Sequence, residues 1–115
     1  MDLGISTRVA PILDEVKRFI EDEIVPVEHD YYTDIAVGDR WEFTDRQNDI
    51  REDLKKKARE KGLWNFFLTD GDAGSGLNTV EYAYLAEEMG KSHMAAEVFN
   101  CAAPDTGNME VLHKY

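Results

Sequence analysis

The 115-residue sequence predicts an all-α fold, a small bundle of about five helices. Three observations lead there. Apolar residues between 7 and 25 recur at three- and four-residue steps, the period of one helix face. Thr44 with Gln47 and Asn78 with Glu81 are two helix-start patterns, a small polar residue followed three positions later by Glu or Gln. Gly62 and Gly90 stand where the helices opened by those patterns should stop.

In residues 7–25, Val9, Ile12, Leu13, Val16, Phe19, Ile20 and Ile24 form the apolar stripe, and Asp14, Glu15, Lys17, Arg18, Glu21 and Asp22 the opposite face. Ser6 or Thr7 caps the start, and Pro11 sits where a missing N–H costs little. Pro26 biases Val25 away from helical geometry, so the helix is expected to end there. Residues 26–43 are apolar and aromatic without a period and read as irregular.

Residues 45–61 give the second helix, with Ile50, Leu54 and Ala58 on a narrow stripe and a basic end that suits the helix dipole. The run Leu63 to Leu68 is too short to assign and reads as a strand or an inserted helical turn. The loop 69–76 holds Gly71, Gly74 and Gly76. A third helix spans about 79–90, with Val80, Ala83, Tyr84 and Met89 on its apolar face. A fourth, capped by Ser92, runs through Ala95, Ala96, Val98, Phe99 and Ala102. A fifth begins near 108. The whole of 1–115 reads as a single helical domain.

Composition bounds the function. With 24 acidic against 13 basic residues the formal charge is −11. Polyanions are held by clustered Lys and Arg, and the second half offers only Lys61, Lys91 and Lys114, so nucleic acid and anionic membrane surfaces are disfavoured. No run approaches the ~18 apolar residues of a membrane span. One cysteine, Cys101, excludes an internal disulfide. A cytoplasmic setting is the simplest expectation, with mitochondria or peroxisomes if the source is eukaryotic.

Asp70, Asp72, Asn78 and Glu81 fall on calcium-loop spacing, but Gly74 and Ser75 break the pattern where a ligand and a sharp turn are needed. The glycines before Asn78 lack the Lys-Ser or Lys-Thr of a phosphate loop. His93 with Glu97 is the nearest approach to a metal pair, and no metal site is expected. Glu87 and Glu88 are adjacent, so they point apart. Composition and spacing therefore give a helical domain without a self-contained active site.

Gly62-Leu63-Trp64-Asn65-Phe66-Phe67-Leu68, then Gly74-Ser75-Gly76-Leu77-Asn78, then Glu81-Tyr82-Ala83-Tyr84-Leu85-Ala86-Glu87-Glu88-Met89-Gly90 resembles the N-terminal domain of acyl-CoA dehydrogenases in order and spacing. The helix ending Ile24-Val25-Pro26 looks like that family's opening, and Thr69 stands where the family often has proline. Asn100 to Glu110 is similar to a branch whose animal members include proteins with an added kinase-like domain, which implies long-chain or hydroxylated acyl-CoA substrates.

The resemblance implies an all-α N-terminal domain of an enzyme with further β and four-helix domains absent from this chain. The reaction implied is α,β-dehydrogenation of acyl-CoA thioesters with FAD as the hydride acceptor and an electron-transferring flavoprotein as the partner. It implies that no catalytic or FAD-binding residue lies here, that the chain alone is inactive and binds no cofactor, and that the enzyme is a homo-oligomer. The positions matching the family's acyl tunnel are Glu97, Val98 and Cys101. Val98 and Cys101 read equally well as helix core. The surfaces around Val98 and Phe99 and along 31–43 are expected to meet the other domains, or another copy of the chain. The alternative reading is a free-standing acidic helical module that binds a protein partner.

Overall fold

A computed structural model describes residues 3–33, 41–68, 76–102 and 105–114. Among them there are helices and turns and no strand. Helix α1 (Ala10–Phe19) passes into a π-helical turn (Ile20–Ile24) and on into α2 (Val25–Thr33). Then come α3 (Asp45–Glu60), α4 (Thr79–Met89), the single turn α5 (Ala95–Val98) and α6 (Asp105–Lys114). With α1 to α2 counted as one rod, the described residues hold five helices.

The first correction concerns Pro26. The chain does not leave the helix there; it widens first. In the turn before Pro26 the Val25 N–H reaches back to the Ile20 carbonyl, five residues away. A proline ring in an ordinary helix collides with the carbonyl four residues earlier. The wider π turn lies across that carbonyl, Asp22, and lets the helix continue. The irregular segment expected from 26 therefore starts only after Thr33. The helix start is also later than expected. Ser6 accepts from the Val9 N–H at 3.1 Å and holds a turn, and α1 begins at Ala10.

Both capping boxes form as the sequence predicts. Thr44 Oγ1 accepts from Gln47 N at 3.1 Å and Gln47 Oε1 accepts from Thr44 N at 3.0 Å. Asn78 Oδ1 accepts from Glu81 N at 2.8 Å and Glu81 Oε1 accepts from Asn78 N at 3.1 Å. Gly62 ends α3 at φ +74°, with Leu63 N–H donating to Ala58 O and Gly62 N–H to Arg59 O. These are the two bonds of a Schellman stop. Asn100 does the same for α5 at φ +58°, with Cys101 N–H donating to Ala96 O and Asn100 N–H to Glu97 O. That stop cuts the fourth helix to four residues, where the sequence reading carried it to Ala102. Ser92 precedes it with a bond to Met94 N–H at 3.2 Å but is not its N-cap.

The core gathers Val9 just before α1, Leu13, Val16 and Phe19 from α1, Leu54 and Ala58 from α3, Leu85 and Met89 from α4, and Ala95 and Val98 from α5. Leu63, Phe66, Phe67 and Leu68 enter it as irregular chain with a turn, neither strand nor helix. Asn65 makes this possible at φ +57°; its N–H donates to Phe99 O at 3.1 Å and its Oδ1 accepts from Asn100 Nδ2 at 2.6 Å. Phe99 is fully buried between Phe19 (5.4 Å between ring centroids) and Phe66 (5.9 Å). Each such side chain contributes about 1.5–3 kcal/mol by leaving water. Val98 and Phe99 are thus internal, and the apolar surface expected around them is not there. Trp41 and Phe43 are exposed instead, as are Val111 and Leu112 on α6. On α4 the buried positions are Glu81, Leu85 and Met89, and Ala83 faces out.

The loop 69–75, with the calcium and glycine-loop patterns, lies outside the described residues. Among the described residues no three His, Cys, Asp or Glu side chains gather as a metal site. No described helix is long and apolar enough to cross a membrane.

Candidate functional site

Two glutamates are held across the fold by arginines. The first is Glu81, 4% exposed at the N-terminus of α4. Its carboxylate takes hydrogen bonds from Arg8, from Ser6 Oγ and from its own cap at Asn78. The Arg8 and Ser6 bonds hold its pKa down at about 2. Tyr84, one turn along, donates to the carbonyl of Leu3. This arrangement ties residues 3–8 to α4. Every oxygen is occupied, so the cluster is structural.

The second is Glu97, on α5. Burial opposes its charge, but hydrogen bonds from Arg51 and Lys55 of α3 overcome that and lower its pKa. Lys55 Nζ lies 3.2 Å away and Arg51 is closer. Glu97 is 38% exposed and sits at the rim of a cavity of about 260 Å³ between α2, α3 and α5. Tyr31, Tyr32, Met94 and Val98 reach into it, and Phe43 closes one side. The Arg51 guanidinium lies 4.4 Å over the Phe43 ring, and His93 meets Tyr32 edge-on. Burial raises the pKa of both tyrosines, so their hydroxyls remain protonated donors.

Of the three tunnel positions expected from the sequence, the structure brings Glu97 and Val98 to this cavity. Cys101 is not in its wall. Three residues beyond α5, it is buried and its Sγ approaches Phe99 O at 3.4 Å. Burial raises its pKa, and the same cause, reinforced by the nearby thiol, pushes the Tyr82 hydroxyl up to about 12. A thiol held protonated is a poor nucleophile. The sequence reading gave no site role to Arg51, Tyr31 or Tyr32 and placed Lys55 in the basic end of α3, where an anion site was weighed below a solvated helix end. The apolar stripe Ile50, Leu54, Ala58 was a signal for Arg51 and Lys55, since it fixes which neighbours flank the buried face of α3.

Another groove, of about 430 Å³, lies along α1 and the π turn. Glu15, Asp22 and Glu23 line it with Arg18 and Lys61. Three carboxylates do not suit the diphosphate of a dinucleotide, so this surface does not fit FAD.

The family described as "Acyl-CoA dehydrogenase, N-terminal domain" matches residues 10–115. The chain belongs to this family. It is 45% identical to the mouse protein "Acyl-CoA dehydrogenase family member 10", over 97% of the chain and 11% of that protein. It is 40% identical to "Probable acyl-CoA dehydrogenase FadE2" of Mycobacterium tuberculosis, over 100% of the chain and 27% of that protein. The solved "Structure of a putative acyl-CoA dehydrogenase from Mycobacterium abscessus" superposes with a TM-score of 0.83 at 46% identity, covering 97% of this chain and 29% of the other. This acyl-CoA dehydrogenase N-terminal domain thus spans between about a tenth and a third of the proteins it matches here, which come from bacteria and animals.

Proposed function

We propose that the chain is the substrate-pocket domain of a flavin-dependent acyl-CoA dehydrogenase, and that Val98 and Glu97 border the distal end of its acyl tunnel. The observation that carries this reading is the cavity itself. Two of the three tunnel positions implied by the family line it, beside an apolar wall of Met94 and Val98. Cys101 takes a supporting part here, packing behind α5 against Tyr82 and the Phe66–Phe67 segment. In such an enzyme FAD accepts the hydride removed from the acyl chain. The described residues supply shape: an end for the alkyl group walled on one side by Met94 and Val98. An electron-transferring flavoprotein is the partner implied, and the enzyme is expected to assemble as a homo-oligomer.

The test is the reading frame beyond Tyr115. Expressed with its continuation, the protein should be yellow and reduce a dye when given acyl-CoA, while the 115-residue chain alone should be colourless and inactive. A stop codon directly after Tyr115 would overturn the enzyme reading and leave the partner-binding module.

A further inference from the structure

We propose that the cavity between α2, α3 and α5 receives the end of an acyl chain that carries a carboxylate. The proposal rests on the acyl-CoA reading above and narrows the substrate class. Ligand pockets for whole drug-sized molecules usually run to roughly 300–1,000 Å³. This one, at about 260 Å³, holds about nine water-sized groups at ~30 Å³ each. It suits a stretch of chain and its terminal group.

The walls differ in chemistry. Met94, Val98 and Phe43 offer apolar surface for methylenes. The α3 side offers cations and hydrogen-bond donors. Arg51 and Lys55 bring two positive charges, and among the described residues Glu97 alone meets both at the cavity rim. Glu52 also comes within 3.8 Å of Lys55, but it is 68% exposed, so solvent and salt screen it. Among the described residues a positive charge is left over.

Arg51 Nε adds a second, independent observation. It is buried and, among the described residues, has no hydrogen-bond partner, while the Cζ of the same guanidinium lies 4.4 Å over the Phe43 ring. A buried donor without an acceptor is costly. A methyl terminus relieves neither the surplus charge nor the orphaned donor. A carboxylate, which only accepts, answers both. The protonated hydroxyls of Tyr31 and Tyr32 act in the same direction.

The experiment compares two probes on the 115-residue chain by methyl and aromatic NMR. One is the mono-N-methylamide of decanedioic acid, with a free carboxylate at its far end. The other is N-methyldecanamide, the same length with a methyl end. The carboxylate probe should bind about tenfold tighter, the contribution of one charge-assisted hydrogen bond. Its preference should shrink as salt is raised, and the Met94 and Val98 methyls should shift. Replacing Arg51→Met together with Lys55→Met should abolish the preference and spare binding of the methyl-ended probe, whereas Arg51→Lys should keep most of it. If the double variant does not fold, the salt series on the unaltered chain still decides. Equal affinity for the two probes overturns the carboxylate proposal and leaves the acyl-chain reading standing. Tighter carboxylate binding without shifts at Met94 and Val98 overturns the location. Binding of neither probe overturns the proposal as well, and flavin content of the extended protein separately decides the family function.

Discussion

Helices α4 and α5 lie against each other and each carries a glutamate gripped by an arginine from elsewhere in the chain, yet they are built by different means. Helix α4 has eleven residues, a complete capping box and a charged strap from residues 6–8. Helix α5 has four residues and no side-chain cap. A single helical turn is unstable alone because nucleation fixes several residues for one hydrogen bond. Burial of Ala95 and Val98 and the Schellman stop at Asn100 hold it in place. The lesson is that the locally encoded helix uses its glutamate for anchorage. The tertiary-encoded turn leaves its glutamate at a cavity rim, part-exposed beside the Arg51 and Lys55 cations that hold it.

The sharpest break of that contrast is Phe99→Ala. It removes the ring on which α5 rests and should cost about 3–5 kcal/mol, read by urea unfolding, with α5 losing its amide protection first. Loss of α5 protection no greater than that of α4 would show that α5 does not depend on the core in this way.

Acid should separate the two glutamates next. The Glu81 carboxyl is depressed in the folded state, from an ordinary 4.5 to about 2. Its contribution is therefore complete above pH ~4.5 and is lost as pH falls from there toward 2. The Glu97 shift has the same sign. Thermal unfolding against pH should show a falling acid limb, and Glu81→Gln should flatten it more than Glu97→Gln does. An unchanged limb in Glu81→Gln would contradict the strap.

Asn78→Ala should cost about 1 kcal/mol, the usual effect of losing an N-cap side chain, with fraying confined to the first turn of α4. Smallest of all, Glu97→Gln should change stability by about 0.5 kcal/mol, since the pair is partly solvent-exposed. It should nonetheless tighten binding of the carboxylate-ended probe, because one competing anion is gone; weaker binding would place Glu97 among the ligand's contacts.

The same division explains what could be read from the residues. The boxes Thr44/Gln47 and Asn78/Glu81 and the Gly62 stop were legible because each is closed within a few positions and depends on local geometry. The passage through Pro26 was not, because a widened turn leaves no residue type as its mark. The stop at Asn100 was missed for a related reason: Asn is an occasional substitute for Gly in a left-handed stop, and its partner Asn65 lies 35 positions away. Glu97 and Val98 were legible only through the family resemblance. Arg51 and Lys55 meet Glu97 across more than forty residues, beyond any spacing rule. Val98 and Phe99 were expected at the surface because an apolar pair near a helix end looks the same whether it faces a neighbouring domain or its own core.

The π turn at Ile20–Ile24 has a consequence for descent by insertion and deletion. One added residue in a helix turns everything beyond it by about 100°. Upstream of the turn the rod faces α4; downstream it faces α3, with Tyr31 at the cavity. One segment thereby serves two neighbours without a loop between them. Losing a single residue from 21–23 would swing Tyr31 and Tyr32 away from α3 while leaving α1 seated on α4, and the ring-current signature of Tyr32 on His93 should vanish with it. Such a deletion would change which surfaces meet while leaving the composition almost untouched. The length of this stretch is therefore a stricter constraint on the lineage than the identity of its exposed acids.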